Sequence, residues 1–414
     1  MLYALVHPIA KLGFKIFFRH IHVHGLENIP TKGPLIIAAN HPTAFIEPCL
    51  AACFQKRTLN FIVRGDIFKN PFYIKMLKSL HLIPIFRFKD GYANLKNNQE
   101  TFKYCNEVLK EEKTIFILAE GRTIQEKKLR PIQKGPARMA FGAYDAYGIE
   151  DTVIIPLGFT YEMANVWRKD VMIQCGTPIY LKDYIKEYKE NPNQAIQSLT
   201  DSLGTKLKET IVNIDQISEE PICDLLFDVI ENERKKSVFP ILIKNNKSLI
   251  AEQSIANRFN QLAQQKKELL SQSIIKYKNL LEKYRILDSN VKCGHSFSLI
   301  KVILSVLCLV FCLPGVIFYF LPVISAKTIA SKKVYVKEFQ APVLFALVTF
   351  FVLVWTIIAV FSGIAIFGWY FLIPIIIVFI LGFFSIIFFE SLQMNLSQLR
   401  FDRLNSTVKD NLLS

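Results

Sequence analysis

From Phe339 to Phe389 the chain carries no Asp, Glu, Lys or Arg. One bilayer crossing needs only about 20 apolar residues, so a charge-free stretch of about 50 has room for two. Residues 341–363 and 366–389 are expected to form a transmembrane hairpin. A second charge-free run, Val302 to Ile324, precedes it and contains Pro314-Gly315 at its middle. Between the two lie Lys327, Lys332, Lys333 and Lys337, which place that loop in the cytoplasm by the positive-inside rule. A cytoplasmic amino-terminal domain is compatible with this only if 302–324 enters and returns on one face, breaking at Pro314-Gly315; a kinked helix would leave the same sequence pattern.

Before about residue 298 charges are frequent, and the formal net charge of the whole chain is +15. That balance attracts anionic lipid, phosphorylated substrates or nucleic acid, and the membrane segments favour lipid. None of the 17 glycines pair at i, i+2, and there is no P-loop, which removes the usual nucleotide-binding motifs. The eight cysteines include Cys49/Cys53 and Cys308/Cys312, each pair one helical turn apart, and no C-x-x-C. They read as buried packing residues in a reducing compartment. The first residues lack a small-residue cleavage site. Leu5, Ile9, Leu12 and Ile16 recur at helical spacing, with Lys11, Lys15 and Arg19 on another face, so residues 1–19 are expected to lie as an amphipathic helix in the membrane interface.

Short runs rich in Ile, Val and Phe punctuate the next part: 34–39, 59–63, 83–87, 114–118, 152–158 and 171–175. Helix-length segments separate them, so residues 20–185 are expected to form an α/β domain, a mixed, largely parallel sheet flanked by helices. Residues 186–297 lack strand patterns and read as a helical connector, with a stripe shift near Lys266 that weakens a coiled coil. Residues 298–390 form the membrane region and 391–414 a cytoplasmic tail.

The chemistry concentrates at strand ends. The first run leads into Asn40-His41-Pro42-Thr43-Ala44-Phe45-Ile46-Glu47-Pro48. A histidine followed closely by a carboxylate suits general-base catalysis: the imidazole takes a proton from a hydroxyl, and the carboxylate fixes its tautomer. Ile83-Pro84-Ile85-Phe86-Arg87 ends in a cation suited to a phosphate. Leu118-Ala119-Glu120-Gly121-Arg122-Thr123 ends another strand, and Lys134-Gly135 opens a loop-to-helix start where backbone amides can approach an anion. No Gly-x-Ser-x-Gly elbow is present. A serine nucleophile on such an elbow is therefore disfavoured.

At these residues the chain resembles the glycerolipid acyltransferases, the family of glycerol-3-phosphate and lysophosphatidate acyltransferases. Its first block usually has an acidic residue five positions after the His; Glu47 is six positions after His41. The longer spacing is similar to a subgroup reading His-Pro-Asn-x-x-x-Asp-Pro, with Thr for Asn and Glu for Asp here. The second block matches Ile83 to Asp90 with Pro84 and Arg87. The third, usually Phe-Pro-Glu-Gly, matches Leu118 to Gly121 with Ala119 for Pro, and the fourth matches Ile154-Ile155-Pro156-Leu157-Gly158.

The resemblance implies His41 as base with Glu47 as its partner. It places Arg87, Glu120, Gly121, Arg122 and Lys134 around an acceptor phosphate, with Asn40, Pro84, Thr123 and Pro156 in support. It further implies acyl-CoA or acyl carrier protein thioester as co-substrate with no cofactor or metal, and glycerol 3-phosphate or 1-acylglycerol 3-phosphate as acceptor. The catalytic domain would face the cytoplasm at a bacterial inner membrane or the endoplasmic reticulum. A lysophospholipid acyltransferase or transacylase, and an inactive lipid-binding scaffold, are the alternatives. No nucleic-acid motif matches the charge. His20, His22 and His24 alternate and would share one strand face as metal ligands do. No neighbouring Cys or acidic cluster completes a site, so they are expected to form an interfacial strand.

Overall fold

In a computed structural model of the protein, the structure describes residues 2–68, 71–86, 97–232, 239–292 and 298–413. Met1–Asp215, Ile241–Gln253 and Lys337–Pro342 make one compact unit; Gln216–Pro240, Ser254–Val336 and Val343–Ser414 make another.

The strands of the first unit are β1 (Ile21–His24), β2 (Leu35–Ala39), β3 (Leu59–Arg64), β4 (Leu82–Ile85), β5 (Thr114–Leu118), β6 (Val153–Tyr161), β7 (Val171–Cys175), β8 (Ile179–Tyr180) and β9 (Leu242–Ile243). They form one sheet in the order β4-β3-β5-β2-β6-β7-β1-β9, with β8 beside β6. Only the β6–β7 and β6–β8 pairs are antiparallel. The sheet is mixed and largely parallel, and the six expected runs are all strands in it. Mid-sheet parallel strands are covered on both faces, which is why β2 reads Leu35-Ile36-Ile37-Ala38-Ala39 without alternation and is buried throughout.

The flanking helices are α1 (Leu2–Phe17), α2 (Ile46–Phe54), α3 (Pro71–Ser79), α4 (Asn97–Lys110), α5 (Gly135–Tyr147), α6 (Ile185–Glu190) and α7 (Pro192–Lys208). One core layer joins Ile36, Ile115 and Ile154 of the sheet to Leu109 of α4, Phe141 of α5 and Leu199 of α7. Helix α5 ends on Gly148 at φ 69, and Asn191 caps α7 by accepting from the amide of Gln194. Burial pushes the thiols of Cys53, Cys105 and Cys175 up to about 12. An alkylating reagent at about pH 8 should therefore leave these three unmodified in the native protein and label them after denaturation; native labelling at the unfolded rate would contradict their burial.

Two expectations change. The histidine strand β1 is not interfacial but an inner strand of the sheet, between β7 and β9. The connector does contain a strand, since β9 pairs with β1 through Ile21↔Leu242.

In the remaining sequence lie α8 (Glu220–Asn232), α9 (Lys247–Asn260), α10 (Gln264–Tyr284), α11 (Asp288–Lys292), α12 (Leu299–Phe311), α13 (Leu313–Lys333), α14 (Lys337–Phe367), α15 (Leu372–Asp402) and α16 (Ser406–Leu413). The stripe shift near Lys266 is the break between α9 and α10. Among the described residues, three helices are long and apolar enough to cross a membrane: Leu313–Lys333, Lys337–Phe367 and Trp369–Asp402.

The earlier apolar run breaks at Cys312, which puts Pro314 in the first turn of α13, where a missing N–H costs nothing. Ser305 meets Ser391, the Gly315 backbone packs against Gly382, and Tyr319 lies edge-on to Phe379. The partners recede along α15 as α12 and α13 advance, so the segment is kinked and runs end to end against α15. It does not fold back on itself.

Candidate active site

Strand β2 delivers His41. Its neighbour Asn40 fixes where the strand ends: the Asn40 amide donates to Phe159 O at 2.9 Å and accepts from Phe159 N at 2.8 Å. A side chain thus continues the β2–β6 ladder for one more residue, and the backbone is free to turn at His41. Pro156 lies within that ladder opposite Ala38, and Gly158 allows Thr210 to approach, since a Cβ there would lie 2.3 Å from Thr210 Oγ1.

The six-residue spacing to Glu47 works because Thr43 folds the intervening loop. Thr43 Oγ1 accepts from Ile46 N at 3.3 Å, opening α2, and donates to Glu47 Oε1 at 2.7 Å. Thr43 N and the Tyr161 hydroxyl donate to the same oxygen at 3.1 and 2.9 Å. The other oxygen, Oε2, lies 3.4 Å from His41 Nδ1. Glu47 is fully buried and the His41 side chain is 12% exposed, so a protected carboxylate backs an imidazole that solvent and substrate can reach. Burial pushes the Tyr161 hydroxyl well above the ordinary phenol range, and the Glu47 charge adds to the shift. The phenol therefore stays a donor to Glu47.

On the far side of the imidazole, Thr123 Oγ1 lies 2.5 Å from His41 Nε2. The β5 turn brings it there. Ala119 N donates to Ala39 O at 2.8 Å, a bond that a proline at this position would forfeit. Glu120 then ties two loops together, accepting from His41 N at 2.7 Å and from Arg130 N at 3.3 Å. Burial pushes its carboxyl above the ordinary range, offset in part by those two amides. Gly121 turns the chain at φ 71, with Gln133 so close that a Cβ would meet it at 2.9 Å.

The sequence-expected residues His41, Glu47, Glu120, Gly121, Thr123 and Asn40 are thus brought together. Arg122 follows them on the same loop and is exposed; Lys134 is exposed just before α5. Pro84 sits in β4, its carbonyl held by Thr101 Oγ1 at 2.7 Å. Arg87 lies outside the described residues.

Sequence reasoning missed four contributors. Tyr161 and Thr43 hold Glu47, and only the fold brings Tyr161 there. Arg130, two positions after Lys128 in a loop rich in cations, pairs through Nη2 with Glu126, while its buried Nε engages no other described group. Glu338, in the first turn of α14, bridges the two loops that flank His41: its carbonyl accepts from Ala44 N at 3.2 Å and its Oε1 from Gln125 N at 3.4 Å.

The histidine strand also gains an acidic partner from far along the chain. Asp170 lies 3.1 Å from His20 Nδ1 and 3.4 Å from His22 Nε2, all three buried. Their donor atoms lie within 4.8 Å of one another, which would suit a small cation, and among the described residues this is the one such group. His24 turns instead to Gln174. In the sheet order β1 is separated from β2 by β6 and β7, so this cluster is remote from His41.

A family model described as Acyltransferase matches residues 20–160. Glycerol-3-phosphate O-acyltransferase 2 of Saccharomyces cerevisiae is 24% identical over 160 residues, which are 38% of this chain and 22% of that protein's length. The crystal structure of the 1-acyl-sn-glycerophosphate acyltransferase PlsC from Thermotoga maritima aligns over 49% of this chain and 78% of that one, at 19% identity and a TM-score of 0.35.

Proposed function

We propose that the chain, whose residues 20–160 match an acyltransferase family model and resemble a glycerol-3-phosphate O-acyltransferase, moves a fatty acyl group from an acyl thioester to a hydroxyl of glycerol 3-phosphate or 1-acylglycerol 3-phosphate. The observation that carries the reading is the line Glu47–His41: a fully buried carboxylate on Nδ1 of an accessible imidazole. In the reaction His41 Nε2 takes the proton of the acceptor hydroxyl as its oxygen attacks the thioester carbonyl. The C–S bond breaks and the thiolate takes up the proton. Glu47 holds the tautomer and stabilises the imidazolium. The donor is acyl-CoA or acyl carrier protein, and no cofactor enters the scheme.

The acceptor phosphate is assigned to the cations beside Glu120. Arg122 and Lys134 are exposed to solvent, while Arg130 presents a buried Nε on the loop that Glu120 anchors. Charge-assisted hydrogen bonds contribute roughly 1.5 to 3 kcal/mol. Replacing Arg122 or Arg130 by Ala should therefore raise the acceptor KM about ten-fold and leave the donor KM near its wild-type value. A rise confined to the donor KM would contradict the assignment.

The catalytic domain is placed on the cytoplasmic face. Lys327, Lys332 and Lys333 near the end of α13 and Lys337 at the start of α14 favour the cytoplasm by the positive-inside rule, and Glu338 at the start of α14 is bonded to the loops around His41. With a single cysteine at Ser331, an impermeant label should reach it from the catalytic domain's side; labelling only from the opposite side would overturn this placement.

A further inference from the structure

We infer that Thr123 decides whether the site transfers acyl groups or hydrolyses them, by occupying the base until an acceptor arrives. The inference rests on the proposed transferase reading and deepens it. At 2.5 Å, the Thr123 hydroxyl takes up the Nε2 lone pair that must receive the acceptor's proton. Nδ1 is committed to Glu47, so Nε2 is the nitrogen left for catalysis, and any attacking hydroxyl must first displace Thr123.

Water and the acceptor meet this requirement differently. Thr123 is tethered by the turn at Gly121 and by the loop bond from Ile124 N to His41 O at 3.3 Å. Its hydroxyl therefore competes with an effective concentration that a free water molecule cannot match. An acceptor gripped through its phosphate is tethered as well, and its binding energy is available to turn the threonine aside by rotation about one side-chain bond. A thioester bound alone thus faces a capped base, while a thioester bound with acceptor faces an open one. The side reaction that is suppressed balances simply: water attacks the thioester carbon, its proton passes to His41, the C–S bond breaks and the departing thiolate takes that proton, leaving free fatty acid and thiol.

The partition between the two reactions is the test. Membranes holding the full chain would be given an acyl thioester with and without glycerol 3-phosphate or 1-acylglycerol 3-phosphate. Thiol release, free fatty acid and acylated acceptor would then be measured together. In the wild type, thiol release should follow acylated acceptor and stay low without acceptor. Thr123→Val keeps the shape and removes the donor, so the ratio of hydrolysis to transfer should rise about ten-fold, the scale of one lost hydrogen bond. Thr123→Ser should restore the wild-type partition.

An unchanged partition in Thr123→Val, in a protein that still transfers, would overturn the inference and leave the transferase reading standing. So would an acyl group found covalently on Thr123, which would make the threonine a nucleophile. Absence of transfer in the wild type with every acceptor would instead count against the transferase reading itself.

Discussion

Replacing His41 by Ala is expected to lower acyl transfer by about 10² to 10⁴-fold, the usual contribution of a positioned general base. The protein should stay folded and membrane-bound, because the imidazole lies at the surface of the site and Glu47 keeps its bonds from Thr43 and Tyr161 when it is gone. The measurement is initial rate at saturating donor and acceptor, beside a check of membrane association. Unchanged turnover would remove His41 from the mechanism.

Glu47 should show a second large effect, and one that separates charge from shape. In Glu47→Ala the amide and hydroxyl of Thr43 and the hydroxyl of Tyr161 lose their shared acceptor inside the protein. Each buried polar group left unpaired costs about 1 to 3 kcal/mol, so this variant should lose both activity and thermal stability. Glu47→Gln retains an oxygen for Thr43 and Tyr161 but no longer stabilises an imidazolium. It is expected to stay folded and to lose about 10²-fold in rate or less, short of the His41→Ala loss. Equal melting temperatures for Glu47→Ala and wild type would show that the carboxylate is not the hub the geometry makes it.

Much of the fold could be read in the sequence because parallel strands covered on both faces leave unbroken apolar runs. Leu35 to Ala39 and Thr114 to Leu118 are such runs, and they are the neighbouring strands β2 and β5. The helices long and apolar enough to cross a membrane were legible for the cruder reason that charge is absent from their central stretches. What stayed hidden are contacts that only tertiary structure creates. Asp170 joins His20 and His22 across about 150 residues of chain, so the histidine strand looked as though it lacked an acidic neighbour. Leu242-Ile243 is too short a pair to announce itself as a strand, and it pairs only because β1 offers an open edge.

The same division holds at the site. His41 and Glu47 are six residues apart and could be matched to each other, whereas Tyr161, which holds Glu47 in place, is 114 residues farther along. Ala119 stands where the third block of the family that the sequence resembles usually has proline. In the structure it supplies an N–H that extends the bonding between β5 and β2 by one residue. Arg130 carried no signal beyond the abundance of cations around it, and its relation to Glu120 runs through its own backbone amide, which no sequence pattern records.

The most direct test of the account is acyl transfer by membranes containing this chain, given an acyl thioester and labelled glycerol 3-phosphate or labelled 1-acylglycerol 3-phosphate in parallel. The account predicts acylated product from at least one of these acceptors, dependent on the chain and lost in His41→Ala. Product from neither acceptor, or product formed equally well by His41→Ala, would contradict it.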